Sequence, residues 1–521
     1  MEVQSLNGTW QYRIGKGKSK SVQVPYSALA VGHSEFERTF DLDSLSERIF
    51  IRFDRITYRA VVTINDTVVG EMLPYCEYEF EITEVVKPKN NRILVEIEDL
   101  LPEFGPSAGW ENYGGIVGGV NLIYRAKNYI TDVFFYSELK NGYKDAVYTV
   151  ETDFCENTDG EYFIKLFHKE NLVDEFFSPL GVTKIERELK SVKLWSPDSP
   201  ELYRLEVGLL SSGEIIDLYS CEVGFREFKC DKHRFILNGK PLFLQGVCRH
   251  ETLLDYGHTV PENEVYSDMK KIKETGCNFV RLVHYPHDKK VLTFADRLGL
   301  MVSEEPGLWW SDTANEEISE GSLEVLRRTI RRDKNHPSIV FWLSFNECCF
   351  TEKYLIDAVK TARNQDPTRL VSGANCMSVE DTLIYYNKCG FDFYTMHPYS
   401  DTFERARDSA KRLNDKPLLF TEWGGYYLYD NPHLTADFIR EIYNLYEQNN
   451  DDGALAGAFF WFWREVNDFN RGEPACIDGT LTEALIKKDG NKSAIYDAFV
   501  NTFKEVKIKK NAVDKYECNL M

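Results

Sequence analysis

Ile339-Val340-Phe341-Trp342-Leu343-Ser344-Phe345-Asn346-Glu347 is a nearly unbroken apolar run that turns polar at its last two residues, and its reading decides the fold. It has the length of a strand, and Pro337-Ser338 bounds it on the N-terminal side. Amphipathic stretches flank it at 322–334 and 351–365, each with the spacing of a helix. A strand set between helices is a βα unit, and repeated units make a parallel sheet. Outward from this run the same alternation recurs. Strands are predicted at 242–247, 278–282, 300–303, 339–345, 370–372, 391–396, 417–422 and 456–463, with further helices at 262–275 and 435–448. Eight such strands close as a (β/α)8 TIM barrel, and 229–501 matches the roughly 250 residues usual for it. The barrel domain is assigned to 229–521, with 504–521 a polar, lysine-rich tail expected to fray.

The N-terminal part has a different pattern. Up to about Tyr124, short β-rich runs such as Ile49-Phe50-Ile51-Arg52-Phe53 and Ala60-Val61-Val62-Thr63-Ile64 are broken by Asn65-Asp66, Pro88 and glycines. That is the pattern of an antiparallel, jelly-roll-like β-sandwich, assigned to 1–126. Runs such as Tyr162-Phe163-Ile164-Lys165-Leu166-Phe167 continue it through 127–228, a segment with the size of an immunoglobulin-like β-sandwich. The glycines of Trp110-Glu111-Asn112-Tyr113-Gly114-Gly115-Ile116-Val117-Gly118-Gly119 precede no helix, so they suggest a loop reaching toward the barrel and not a dinucleotide site.

Composition narrows the function. The 521 residues contain 43% hydrophobic and 28% charged side chains, a globular balance that excludes disordered and fibrous classes. A formal net charge of −21 repels phosphate backbones and anionic lipid, so neither nucleic acid nor a membrane is an expected partner. The start lacks a basic region followed by an apolar one, and no stretch has the roughly 18 apolar residues of a membrane span. Twelve scattered cysteines, Cys348-Cys349 adjacent among them, fit reduced thiols in a cytoplasmic protein better than a disulfide framework. Aromatic residues at 14%, 9 Trp and 29 Tyr included, suit a protein that handles sugars or aromatic ligands, and a large core would use them too.

In a TIM barrel the chemistry lies at the C-terminal ends of the strands, so polar residues that end apolar runs are the candidates. Glu347 ends the fourth strand and Glu422 the seventh. Two carboxylates facing a sugar are what glycoside hydrolysis requires: one protonates the leaving oxygen while the other attacks or activates water. His250, His284 and His397 follow strands one, two and six, and the expected use of these histidines is hydrogen bonding to sugar hydroxyls. No HxH or HExxH spacing supports a metal site, and neither metal nor cofactor is assigned. Trp309-Trp310 follows strand three, and Trp423 stands beside Glu422 as a candidate pocket wall. Trp461 and Trp463, at alternate positions of strand eight, are expected to face one side, with only one of them flooring the pocket.

With these residues assembled, the chain resembles glycoside hydrolase family 2, the group of bacterial β-galactosidases and β-glucuronidases, over nearly its full length. Leu6-Asn7-Gly8-Thr9-Trp10 and Tyr113-Gly114-Gly115-Ile116 resemble the family's sugar-binding sandwich, and Leu194-Trp195-Ser196-Pro197 its central one. Arg332-Asp333-Lys334-Asn335-His336-Pro337-Ser338 leading to Asn346-Glu347 resembles its acid/base signature. The resemblance implies Glu347 as general acid/base and Glu422 as nucleophile, with retention of β configuration through a glycosyl-enzyme intermediate. It further implies Asn346 on the 2-hydroxyl, Tyr399 on the nucleophile, and His250, His284 and Trp461 lining the terminal sugar pocket. These roles require Glu347 protonated and Glu422 ionised at working pH.

The sequence also departs from the family. The large β-galactosidases carry two further domains after the barrel, and the surface those would supply is not expected here. The Asn-x-Lys element with which β-glucuronidases hold a carboxylate is absent from Gly479-Thr480-Leu481-Thr482-Glu483-Ala484-Leu485-Ile486-Lys487-Lys488, where Glu483 would repel a uronate. The first expectation is therefore a retaining exo-β-glycosidase acting on a neutral terminal sugar, galactoside before others. The alternatives are a uronidase gripping through Arg464, Arg471 or Lys487, and a non-catalytic carbohydrate-binding protein. The expected partner is a small glycoside or oligosaccharide, and assembly as a homo-oligomer is common in the family.

Overall fold

In the computed structural model the described residues are 2–506 except 30–32, 99–112, 157–159, 400–401, 426–427, 429, 448–454, 468–475 and 478–479. The apolar runs form β1 (Leu244–Arg249), β2 (Phe279–Leu282), β3 (Met301–Glu304), β4 (Ile339–Asn346), β5 (Leu370–Ala374), β6 (Tyr394–Met396), β7 (Leu418–Gly424) and β8 (Leu455–Trp461). These are the eight predicted strands with ends moved by a few residues. All their residues except Leu370 are buried, because the strands have side chains on one face and helices on the other. They pair in parallel in the order β5-β4-β3-β2-β1-β8-β7-β6. The ring is completed between β5 and β6 by Asp392, whose backbone N–H donates to Val371 O at 3.0 Å and whose carboxylate accepts from Val371 N at 2.7 Å.

Around the strands run α1 (Glu262–Glu274), α2 (Lys289–Leu298), α3 (Glu316–Asp333), α4 (Glu352–Gln365), α5 (Val379–Cys389), α6 (Thr402–Arg412) and α7 (Pro432–Glu447). Helix α3 starts earlier than the predicted 322, since the Asn315 side chain accepts from Glu317 N and caps it there. Gly299 and Gly390 end α2 and α5 with φ of 69° and 84°, a left-handed stop that glycine adopts without steric cost.

Ahead of the barrel, a six-stranded and a four-stranded antiparallel sheet enclose Trp10, Phe36, Ile51, Val62 and Leu122, forming the first sandwich. The strictly alternating burial of Arg59–Ile64 is that of a strand with one face in a core. A three-stranded and a four-stranded sheet follow between Ile130 and Val223 as the immunoglobulin-like sandwich, around Tyr148, Tyr162, Leu205 and Phe225. A small three-stranded sheet, Phe228–Asp231, Arg234–Leu237 and Lys240–Leu242, then plugs one end of the barrel, with Phe235 5.3 Å from Phe393. The glycine loop packs largely inside the first sandwich: a side chain at Gly115 would meet Tyr26 O at 2.4 Å. Tyr113 reaches the barrel, 6.1 Å from the His258 ring, while Trp110, Glu111 and Asn112 lie outside the described residues. Of the tail expected to fray, 504–506 are helical and 507–521 lie outside the described residues.

Candidate active site

Arg281, from β2, organises the strand ends. Its guanidinium is fully buried and donates to Glu422 Oε1 at 2.6 Å, Glu305 Oε1 at 2.6 Å and Asn346 Oδ1 at 2.7 Å. A buried charge must be paired and hydrogen-bonded, and this one ties β2, β3, β4 and β7 together at one end of the barrel. The other Glu422 oxygen accepts from the Tyr399 hydroxyl at 2.5 Å. Glu347, just beyond β4 and with a left-handed φ of 49°, turns back over the same opening. His397 lies between the two carboxylates: Nδ1 is 2.5 Å from Glu347 Oε1 and 3.5 Å from Glu422 Oε2, and Nε2 is 2.8 Å from Thr421 Oγ1. One oxygen of each carboxylate and a His397 ring nitrogen fall within 4.8 Å of one another. A metal ion could use three donors at that spacing, but here the hydrogen bonds already engage them, as in an acid–base array.

Burial raises the cost of charge on both carboxylates, and their neighbours decide the outcome. Burial pushes Glu347 up, but the His397 charge and N–H and the Trp310 indole N–H outweigh it and bring the group down to about 2. Glu422 is pushed up by burial and by the negative charge of Glu347, against the pull of His397, Arg281 and Tyr399. These shifts run opposite to the expected protonation of Glu347 and ionisation of Glu422. The reason is His397, whose position against Glu347 could not be read from the sequence. Burial and both carboxylates raise the Tyr399 phenol well above its ordinary value, so it remains a donor.

The expected pocket residues fall into two groups. His284 stacks on Trp461 at 5.5 Å and 17°, and His250 meets both rings edge-on at 5.6 and 5.5 Å, forming one aromatic wall beside Asn346 and Tyr399. His284 is oriented by Glu305, 3.2 Å from its Nδ1. Trp423 is not part of this wall. Successive strand residues face opposite ways, so with Glu422 pointing inward Trp423 packs outward against Phe438, Phe460 and Phe499. Trp461 and Trp463 do not share a face either: β8 ends at Trp461, and Trp463 joins the cluster that holds Phe438 and Phe499. His397 contacts the carboxylates and Thr421, so it stands between the two glutamates instead of lining the pocket.

Two of the three proposed basic grips lie away from the opening. Arg464 pairs with Asp268 of α1, and Lys487 sits in an exposed turn, while Arg471 lies outside the described residues. Glu483 is only 7% exposed, and its Oε2 is 3.3 Å from where a side chain at Gly425 would begin, with the Tyr399 ring 2.9 Å from the same point. Arg281, Glu305 and Thr421 had no role in the sequence reading, which named Trp310 only with Trp309 as a tryptophan pair after strand three. Arg281 had a usable signal, an arginine inside an apolar strand, which must find buried carboxylates. The others carry no such mark.

Residues 228–474 match the family described as "Glycosyl hydrolases family 2, TIM barrel domain", and 128–226 match "Glycosyl hydrolases family 2". A β-galactosidase of Thermoanaerobacter pseudethanolicus is 27% identical over 91% of this chain and 67% of its own length. A β-glucuronidase of Streptococcus agalactiae is 26% identical over 84% of this chain and 86% of its own. The crystal structure of an FMN-binding β-glucuronidase from Facaelibacterium prausnitzii L2-6 superposes with a TM-score of 0.87 at 21% identity, over 96% of this chain and 85% of that one, a likeness of fold.

Proposed function

This chain belongs to glycosyl hydrolase family 2, and we propose that it is a retaining exo-β-glycosidase in which Glu422 is the nucleophile and Glu347 the general acid/base. The observation that carries this reading is the approach of the two carboxylates within 4.8 Å. Retaining enzymes hold their carboxyl groups about 5–5.5 Å apart, whereas inverting ones leave about 6.5–9.5 Å for a water between them. Glu422 attacks the anomeric carbon, the glycosidic C–O bond breaks, and the proton on Glu347 passes to the leaving oxygen. Glu347, now ionised, then takes a proton from a water that displaces Glu422, and the sugar leaves with its β configuration. Arg281 and Tyr399 orient the nucleophile with two short hydrogen bonds. His397 Nδ1 and Glu347 Oε1 lie in hydrogen-bond contact at 2.5 Å, and Glu347 gives its acid proton to a glycosidic oxygen on its Oε2 side. Asn346 serves the 2-hydroxyl, and His250, His284 and Trp461 hold the sugar.

For the terminal sugar we favour a neutral glycone, galactoside first. Glu483 supports this: a buried carboxylate beside Tyr399 penalises the negative charge of a uronate, and the similar T. pseudethanolicus protein is a β-galactosidase. The similar S. agalactiae protein is a β-glucuronidase, so both substrates belong in the test. Nitrophenyl β-galactoside should be hydrolysed and the β-glucuronide left intact, with the β-anomer released first in NMR. Glu347→Gln should lower kcat/KM by roughly 10²–10⁴, and Glu422→Gln should leave no measurable turnover, both with unchanged folding. An α-anomer as first product would refute retention. Fast glucuronide turnover would refute the neutral sugar.

A further inference from the structure

Glu347 presents its two oxygens to different surroundings. Oε1 faces inward, to His397 and Glu422, and Oε2 faces the loop after β3, where the Trp310 indole N–H donates to it at 2.8 Å. Trp310 differs from its neighbour Trp309. Trp309 is buried against His284 and Tyr285, whereas Trp310 is 38% exposed and adopts a left-handed φ of 50°. That conformation is costly for a bulky aromatic residue and persists only where the surroundings enforce it. The enforcement is visible: Asn346 N donates to Leu308 O, Trp310 N to Asn346 O, Cys349 N to Ser311 O and Thr313 N to Cys349 O, lacing the loop to the segment that carries Glu347.

Resting on the acid/base reading of Glu347, we propose that Trp310 is the aglycone platform of this enzyme, stacking a flat aryl leaving group while its N–H aims the Glu347 carboxylate at the glycosidic oxygen. A leaving group protonated by Glu347 departs from the Oε2 side, since the sugar and Glu422 occupy the other. The exposed part of an indole whose backbone is laced to the Glu347 segment offers apolar surface there at little ordering cost. The same N–H stabilises the negative charge that develops on Glu347 as its proton transfers.

The test uses Trp310→Ala and Trp310→Phe in the full chain, with aryl and alkyl β-glycosides of whichever sugar the wild type hydrolyses. Trp310→Ala should raise KM about tenfold for the aryl glycoside and within about twofold for the alkyl glycoside, while kcat falls for both because the donor to Glu347 is lost. Trp310→Phe keeps a stacking face, so the aryl KM should stay within about threefold. It removes one donor to ionised Glu347, so the high-pH limb of kcat/KM should move upward. His397, Glu422, His284, Cys376 and Tyr399 also face the pair of carboxylates and are unchanged in both variants. Equal rises in KM on aryl and alkyl substrates, or an unmoved limb in Trp310→Phe, would overturn the proposal. Glu347→Gln separates the two readings: if it turns over like wild type, the acid/base assignment falls, while the aryl–alkyl contrast in Trp310→Ala still reports the platform.

Discussion

His287 illustrates how far a single buried side chain can set the response to pH. It is fully buried at the edge of the site, its Nε2 near Val283 O at 3.1 Å. Burial drives its pKa from the ordinary 6.5 to about 3, with Arg249 and Arg55 adding to the shift and Glu251 opposing it. The folded protein therefore keeps His287 neutral where the unfolded chain would protonate it. Its contribution is complete above pH 6.5 and is lost as pH falls from 6.5 toward 3. Between pH 6 and pH 4, wild-type stability should fall by about 1.4 kcal/mol per pH unit more than that of His287→Gln. Urea melts at matched pH measure this, and parallel slopes would contradict it. At this scale the sequence was legible where chemistry restricts the residue type. Glu347 and Glu422 stood out because both end barrel strands beside Asn346 or Trp423, but Trp423 misled because a neighbour in sequence was taken as a neighbour in the pocket.

Among the elements, the strands were the most legible, since a run buried on both faces has few alternatives to a barrel strand. Helix starts were less so: the capping Asn315 lies in a polar stretch that resembles a loop. The inside of the barrel is packed with little tolerance. Phe279 stacks on Phe459 at 4.3 Å and on Phe341 at 5.1 Å, and Gly246 of β1 makes room for the backbone of β2. A methyl group there would lie 2.6 Å from Phe279 O and 2.9 Å from the Phe459 ring, and a backbone oxygen cannot swing aside. Gly246→Ala should cost about 1–3 kcal/mol, seen as a lower denaturation midpoint. An unchanged midpoint would mean that the strands yield more easily than this packing implies.

On the scale of the molecule, the first sandwich backs the candidate active site. Tyr58 and Tyr75 from the sandwich join Tyr285 and Trp309 in one buried cluster, Tyr75 stacking on Tyr285 at 4.7 Å and 13°. Nearby, Arg55 of the sandwich pairs with Glu251, the residue after His250, both almost fully buried. Removing one partner of such a pair strands the other, which costs about 3–5 kcal/mol. Arg55→Ala should therefore lower the denaturation midpoint and also reduce kcat, because His250 and the loop carrying Trp309 lose their backing. Full activity in a destabilised variant would limit the sandwich to a structural role. The sequence by itself determined the parallel barrel and the two sandwiches before it and pointed to the two candidate glutamates, because burial pattern, strand length and position at a strand end are local properties. Tertiary structure alone decided what touches those glutamates: Arg281 across four strands, His397 between the two carboxylates and Trp310 at the outer edge. Such contacts join residues as far as 141 positions apart, and no local pattern encodes a distance set by closing the ring.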